Sequence, residues 1–160
     1  MATPKTKVAA APKTTEKNFE AKWGRALAAA GYTQVPDALI LFQARLGLTP
    51  LDICILLVLL KYGHPGKPPW LAKSSIAKVL GVDPSTVRKR VQKLEALGFV
   101  KRKERRHGYG DSDTNLYLLD GLAEKLEAYA NELVEKRQKR KDDERPQKPF
   151  IRPRLRVVPK

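Results

Sequence analysis

From Thr49 to Lys61 the chain reads TPLDICILLVLLK, apolar on nearly every side of a helical wheel, as expected for the central helix of a small domain. Thr49 is its expected N-cap, and Pro50 takes the first helical position, where the missing N–H costs nothing. HPGKPP, residues 64–69, breaks the pattern, and Trp70-Leu71 predicts a short strand or a buried entry to the next element. A helix over about Lys73–Leu80 follows, with Ile76, Val79 and Leu80 inward and Gly81 as its left-handed stop. Asp83 caps the next helix, Pro84 starts it, and it runs to about Leu97 before Gly98. Two helices joined by a tight Gly-Val-Asp turn make a helix-turn-helix. FVKRKERR and LYLL, separated by HGYGDSD, read as a hairpin with a Gly-rich tip. Asp120 caps a final helix over about Gly121–Lys141.

Upstream, NFEAKWGRALAAA (18–30) spaces Phe19, Trp23 and Ala26/Leu27 for one helix stopped by Gly31. GYTQVP is held extended by Pro36, and DALILFQARLG is a short helix ending at Gly47. The chain then divides into a disordered basic arm (1–17), an N-terminal helical extension (18–47), a central domain (48–119), a C-terminal helix (120–142) and a basic Pro/Arg-rich tail (143–160). The expected fold is mostly α with a small β-hairpin.

Charge narrows the function. The 32 Lys and Arg against 17 Asp and Glu leave a formal +15, which favours a polyanionic partner, nucleic acid first. The excess is local: residues 61–110 hold 13 cations and 3 acids, whereas 111–145 is net negative. A single cysteine, Cys54, excludes an intrachain disulfide and a Cys-based zinc cluster; within LDICILLVLL it reads as a small buried apolar residue. That run is too short to span a bilayer, the N-terminus has no secretory pattern, and a cytoplasmic, nucleoid-associated protein is expected. His64 has no partners for zinc, and no phosphate loop, nucleophile–base pair or paired carboxylates appear, so neither a cofactor nor enzymatic activity is expected.

On the helix after Asp83, Val87, Val91 and Leu94 fall in one narrow arc that must face the core. Ser85, Lys89 and Gln92 lie opposite, flanked by Arg88, Thr86 and Lys93, with four cations and no acid over 85–94. Short polar groups near the N-terminus, long donors one turn on and no bulky apolar residue outward suit a helix that enters the DNA major groove.

SIAKVLGVDPSTVRKRVQKLEALGFVKR, residues 75–102, followed by the hairpin and LYLL, resembles the winged helix-turn-helix family of bacterial and phage DNA-binding proteins, MarR-like regulators included. The resemblance implies that Ser85, Thr86, Arg88, Lys89 and Gln92 read bases. It implies a wing that brings Arg105, Arg106, His107 and Tyr109 to the minor groove or backbone. Lys93, Lys101, Arg102 and Lys103 then neutralise phosphates, with Lys73 and Lys78 as further backbone contacts. Ala72 departs from the Ser/Thr that often caps the family's second helix, and Asp111 and Asp113 are acids in the wing, read as turn formers.

In the final helix Leu122, Leu126, Tyr129 and Leu133 are spaced 4, 3, 4 and predict a heptad seam for a homodimer. The expectation is a homodimeric transcription repressor reading a palindrome in double-stranded DNA, with any small-molecule effector unknown. A plasmid or phage replication-initiator or partition protein is the alternative. A protein-interaction module or an RNA binder fits less well, because the helix lacks outward apolar anchors and the chain lacks a stacking platform.

Overall fold

A computed structural model describes residues 13–64, 66–104 and 114–143. Seven helices and three strands are found among them: α1 (Lys13–Trp23), α2 (Arg25–Ala30), α3 (Asp37–Leu41), α4 (Pro50–Tyr62), β1 (Trp70–Ala72), α5 (Lys73–Leu80), α6 (Pro84–Ala96), β2 (Lys101–Glu104), β3 (Thr114–Leu118) and α7 (Asp120–Asp143).

The core forms where apolar faces of α3 to α7 meet the sheet. Leu39, Ile55, Leu56, Leu59, Ile76, Val87, Val91, Leu94 and Tyr117 have essentially no exposed surface. Burying one aliphatic side chain of this size is worth about 1.5–3 kcal/mol, an upper figure because the unfolded chain already hides part of it. α4 is fixed at its start by a capping box. The Asp52 amide donates to the Thr49 hydroxyl, and the Thr49 amide donates to the Asp52 carboxylate.

Helices α5 and α6 end as the sequence predicts, on Gly81 (φ 65°) and Gly98 (φ 75°). At Gly98 the amides of Gly98 and Phe99 donate to the carbonyls of Glu95 and Leu94, satisfying the last turn and turning the chain toward β2. The sheet is antiparallel in the order β1-β3-β2, so the expected hairpin gains a third strand from Trp70–Ala72. Trp70 is nonetheless 48% exposed, an edge-strand residue rather than a buried entry.

Five sequence expectations change in three dimensions. The single helix expected over 18–30 is two, broken at Gly24 (φ 86°), and α1 begins at Lys13, inside the segment read as a mobile arm. Val79, expected inward, is 59% exposed; Ala77 takes the core position beside Ile76, because the buried face of α5 is rotated toward Ala77. Cys54 is exposed, since α4 lies near the domain surface on that side and is not buried all round. Asp120 sits inside the first turn of α7 and the Leu119 carbonyl accepts from Leu122 and Ala123, so the helix begins one residue earlier than expected.

The fifth change concerns the seam of α7. Leu122 and Leu126 belong to the domain's own core, Tyr129 packs on Phe42 with ring centroids 5.1 Å apart, and Leu133 is half-buried against the same core. The 4, 3, 4 spacing therefore serves an intramolecular face. Arg45 reinforces the contact, with its guanidinium 5.0 Å from both the Phe42 and Tyr129 rings and a 2.8 Å bond to Glu132, while Arg137 pairs with Asp37.

Candidate nucleic-acid interface

A surface with exposed positive charge is built on α6. Asp83 accepts from the Ser85 amide at 2.7 Å, and Pro84 starts the helix, so its N-terminal turn is held in one place. Hydrogen bonds from Ser85, side chain before amide, hold the Asp83 carboxyl below its ordinary value. That carboxylate occupies the N-terminal amides of α6, which are thus less open to a phosphate than the bare helix end would be.

With Val87, Val91 and Leu94 buried, the rotation of α6 about its axis is set. Ser85, Arg88, Lys89 and Gln92 are then exposed and Thr86 is half-buried at the edge. Lys78 on α5 is exposed, and Lys73 at its start is half-buried.

In the sheet, cross-strand partners share a face. Lys103 pairs with Leu116, which pairs with Trp70, and Lys101 pairs with Leu118; both lysines are exposed on the face opposite the buried Asn115 and Tyr117. Arg102, one position between the lysines, belongs to the inner face beside Tyr117. Its side chain is only 19% exposed and its Nε lies 3.4 Å from Glu95, so it ties β2 to α6. Burial pushes the neighbouring Tyr117 phenol up.

Lys93 is likewise engaged within the domain. Its ammonium donates to the Asp52 carboxylate at 2.8 Å and to the Gly47 carbonyl at 2.9 Å, which binds α6 to the start of α4. Asp52 is fully buried, and a buried carboxylate demands a counter-charge. Burial pushes its carboxyl up, but hydrogen bonds from Lys93 and from the Thr49 amide and hydroxyl outweigh that, and the net direction is down. Arg90, absent from the sequence-derived set, approaches the same group: its Nη1 is 3.8 Å from Asp52 Oδ1 and 3.5 Å from the Thr49 hydroxyl. The α6 periodicity puts Arg90 beside the apolar arc and Lys93 on the same side of it, but does not say what they meet there. The available signal was an acid, Asp52, inside an otherwise apolar helix.

Arg105, Arg106, His107 and Tyr109, with Asp111 and Asp113, lie outside the described residues, as do most of both basic arms. Among the described residues no cluster of three or more His, Cys, Asp or Glu is arranged for a metal, and no helix is long and apolar enough to cross a membrane.

This geometry, two helices at a tight turn with a sheet behind the second, is that of a winged helix-turn-helix. The sequence comparison agrees, since residues 46–100 match the family described as "Helix-turn-helix domain", and the chain carries that domain. A search of curated proteins finds no match. Among solved structures the chain is similar to a "possible transcriptional regulator" from Methanosarcina mazei Go1, at 18% identity over 69% of this chain and 88% of that one, TM-score 0.45. It is also similar to RV1404 from Mycobacterium tuberculosis, at 18% identity over 92% and 88%, TM-score 0.42. A type III plasmid segregation TubR mutant shares 18% identity over 70% and 99%, TM-score 0.35.

Proposed function

We propose that the protein is a sequence-specific double-stranded DNA-binding regulator, a repressor that occludes its site, with α6 in the major groove. The observation that carries this reading is the outward row Ser85, Arg88, Lys89 and Gln92, exposed opposite a fully buried apolar arc, on a helix with no acid between Pro84 and Leu94. In this reading those four residues and Thr86 contact base edges, where a bidentate Arg, Lys or Gln discriminates a base pair by about 1–3 kcal/mol. Lys73, Lys78, Lys101 and Lys103 neutralise phosphates, and the wing residues Arg105, Arg106, His107 and Tyr109 extend the contact. Binding needs no cofactor or chemical step, and the protein acts where DNA is, in the cytoplasm on the nucleoid.

The repressor acts as a homodimer on a palindrome. Ile40 and Leu41 on α3 and Val134 on α7 remain exposed, and Leu41 and half-buried Leu133 line a cleft of about 560 Å³ together with Lys136, Arg137, Lys139 and Arg140. A second copy placed there buries apolar surface that the monomer leaves in water.

Selection of bound sequences from random double-stranded DNA at near-physiological salt tests the reading. One palindrome with half-sites about one helical turn apart is expected. Direct repeats would replace repression with replication or partition on tandem sites. Absence of any consensus, with binding lost steeply as salt rises, would overturn sequence-specific recognition.

A further inference from the structure

Helix α6 carries four cations, and the structure divides them into two pairs. Arg88 and Lys89 are exposed, whereas Arg90 and Lys93 turn toward α4 and converge on one carboxylate. Asp52 Oδ2 accepts from Lys93, the Thr49 amide and the Thr49 hydroxyl, all within 2.9 Å. Oδ1 has no hydrogen-bond partner among the described residues and faces Arg90 at 3.8 Å. The side chains of Arg90 and Lys93 are 36% and 35% exposed, so both charged heads sit at the boundary between domain and solvent. Lys93 lies one turn beyond Lys89 on the same ridge of α6. A small rotation of either stem carries its charge outward; the attraction of Asp52 is the main opposing force, beside the Gly47 carbonyl that accepts from Lys93 and the Thr49 hydroxyl near Arg90.

We propose that Asp52 is a specificity-determining positioning residue, which holds Arg90 and Lys93 away from phosphate and thereby keeps sequence-independent affinity low. The inference rests on the DNA-binding reading above. Backbone affinity grows with every cation that meets a phosphate, and it grows equally on all sequences. Two more phosphate contacts beside the base-reading row would therefore raise binding to random DNA without adding discrimination, and the ratio of specific to non-specific affinity would fall. A carboxylate beneath the recognition helix removes those contacts while leaving Arg88 and Lys89 free. It also couples the pose of α6 to the cap of α4, since Thr49 serves both.

The test is the salt dependence of full-length protein on a labelled random-sequence duplex, read by fluorescence anisotropy. Asp52→Asn keeps an acceptor for the Thr49 amide and removes the charge. The log–log slope is expected to steepen by about 0.9 for each cation released, which corresponds to roughly eightfold tighter non-specific binding per cation at 0.1 M salt. Adding Lys93→Gln to Asp52→Asn should take back one such increment. A purely structural role for Asp52 would weaken binding or leave the slope alone; a folded Asp52→Asn protein with the wild-type slope overturns the proposal. If Asp52→Asn does not fold, Arg90→Gln in the native background decides. It should leave the slope unchanged while Lys103→Gln lowers it by about 0.9, and an equal fall for both overturns the proposal. Wild-type protein that fails to bind the duplex at low salt would instead refute the DNA-binding reading on which the inference stands.

Discussion

Gly121, the second residue of α7, is where two backbones come closest. A Cβ at this position would lie 2.1 Å from the Gly98 carbonyl oxygen and 3.3 Å from its carbon, about 1.3 Å inside the 3.4 Å at which ordinary contact begins. Two effects of Gly121→Ala oppose each other. Alanine is favoured over glycine in a helix by up to about 1 kcal/mol, and less so this near the end. Against that, the obstacle is a carbonyl at the end of α6, which cannot rotate aside as a flexible side chain would. Overpacking of this kind costs about 1–3 kcal/mol, and with backbone on both sides the upper half of that range applies. The net expectation is destabilisation by about 1–2 kcal/mol, opposite in sign to the propensity argument. Urea unfolding followed by far-UV circular dichroism measures it, with exposed Ala123→Gly as the control that should lose stability through propensity alone. A Gly121→Ala protein as stable as wild type, or more so, would mean that α7 does not press on the turn leading into β2, and the packing described here would be wrong.

Three further outcomes are expected. Lys89→Ala should leave the urea midpoint unchanged and cost about 1–3 kcal/mol on the selected site while relaxing discrimination there, whereas Lys103→Ala should weaken all DNA alike; footprint and competition titrations separate them. Lys93→Ala should behave oppositely, losing stability before DNA affinity. Removing one partner of a buried pair costs about 3–5 kcal/mol, reduced here to about 1–3 because Lys93 is a third exposed and Arg90 and Thr49 remain near the carboxylate. Acid should also act through Asp52. Its carboxyl titrates lower in the folded protein than its ordinary 3.8, so its contribution is fully present above that value and lost as pH falls through the folded one. Asp52→Asn should flatten that part of the stability curve below about pH 4, and an unchanged acid limb would remove Asp52 from the account.

How far the sequence carried differs between elements for physical reasons. Capping chemistry and left-handed glycines are local, so Thr49-Pro50, Asp83-Pro84, Gly81 and Gly98 marked the ends of α4, α5 and α6 within a residue. Periodicity is nearly as local, and the buried arc of Val87, Val91 and Leu94 followed from spacing alone. With that arc in place the exposed row of α6 follows too, because a helix has one face left to offer.

Tertiary structure decided what the apolar stripes and the cations face. The α7 stripe has the spacing of a dimer seam and of a core-packing face alike, and only the placement of α3, with Phe42 against Tyr129, assigns it to the latter. Val79 and Cys54 look buried by type and are exposed, since none of the described elements covers those sides of α5 and α4. The sharpest case is the charge of α6. By composition its four cations are equivalent, but a buried acid 41 residues upstream of Lys93 withdraws two of them. Helical periodicity records the angle at which a side chain leaves its own helix. What waits at that angle belongs to another element, and long-range packing alone brings Asp52 there.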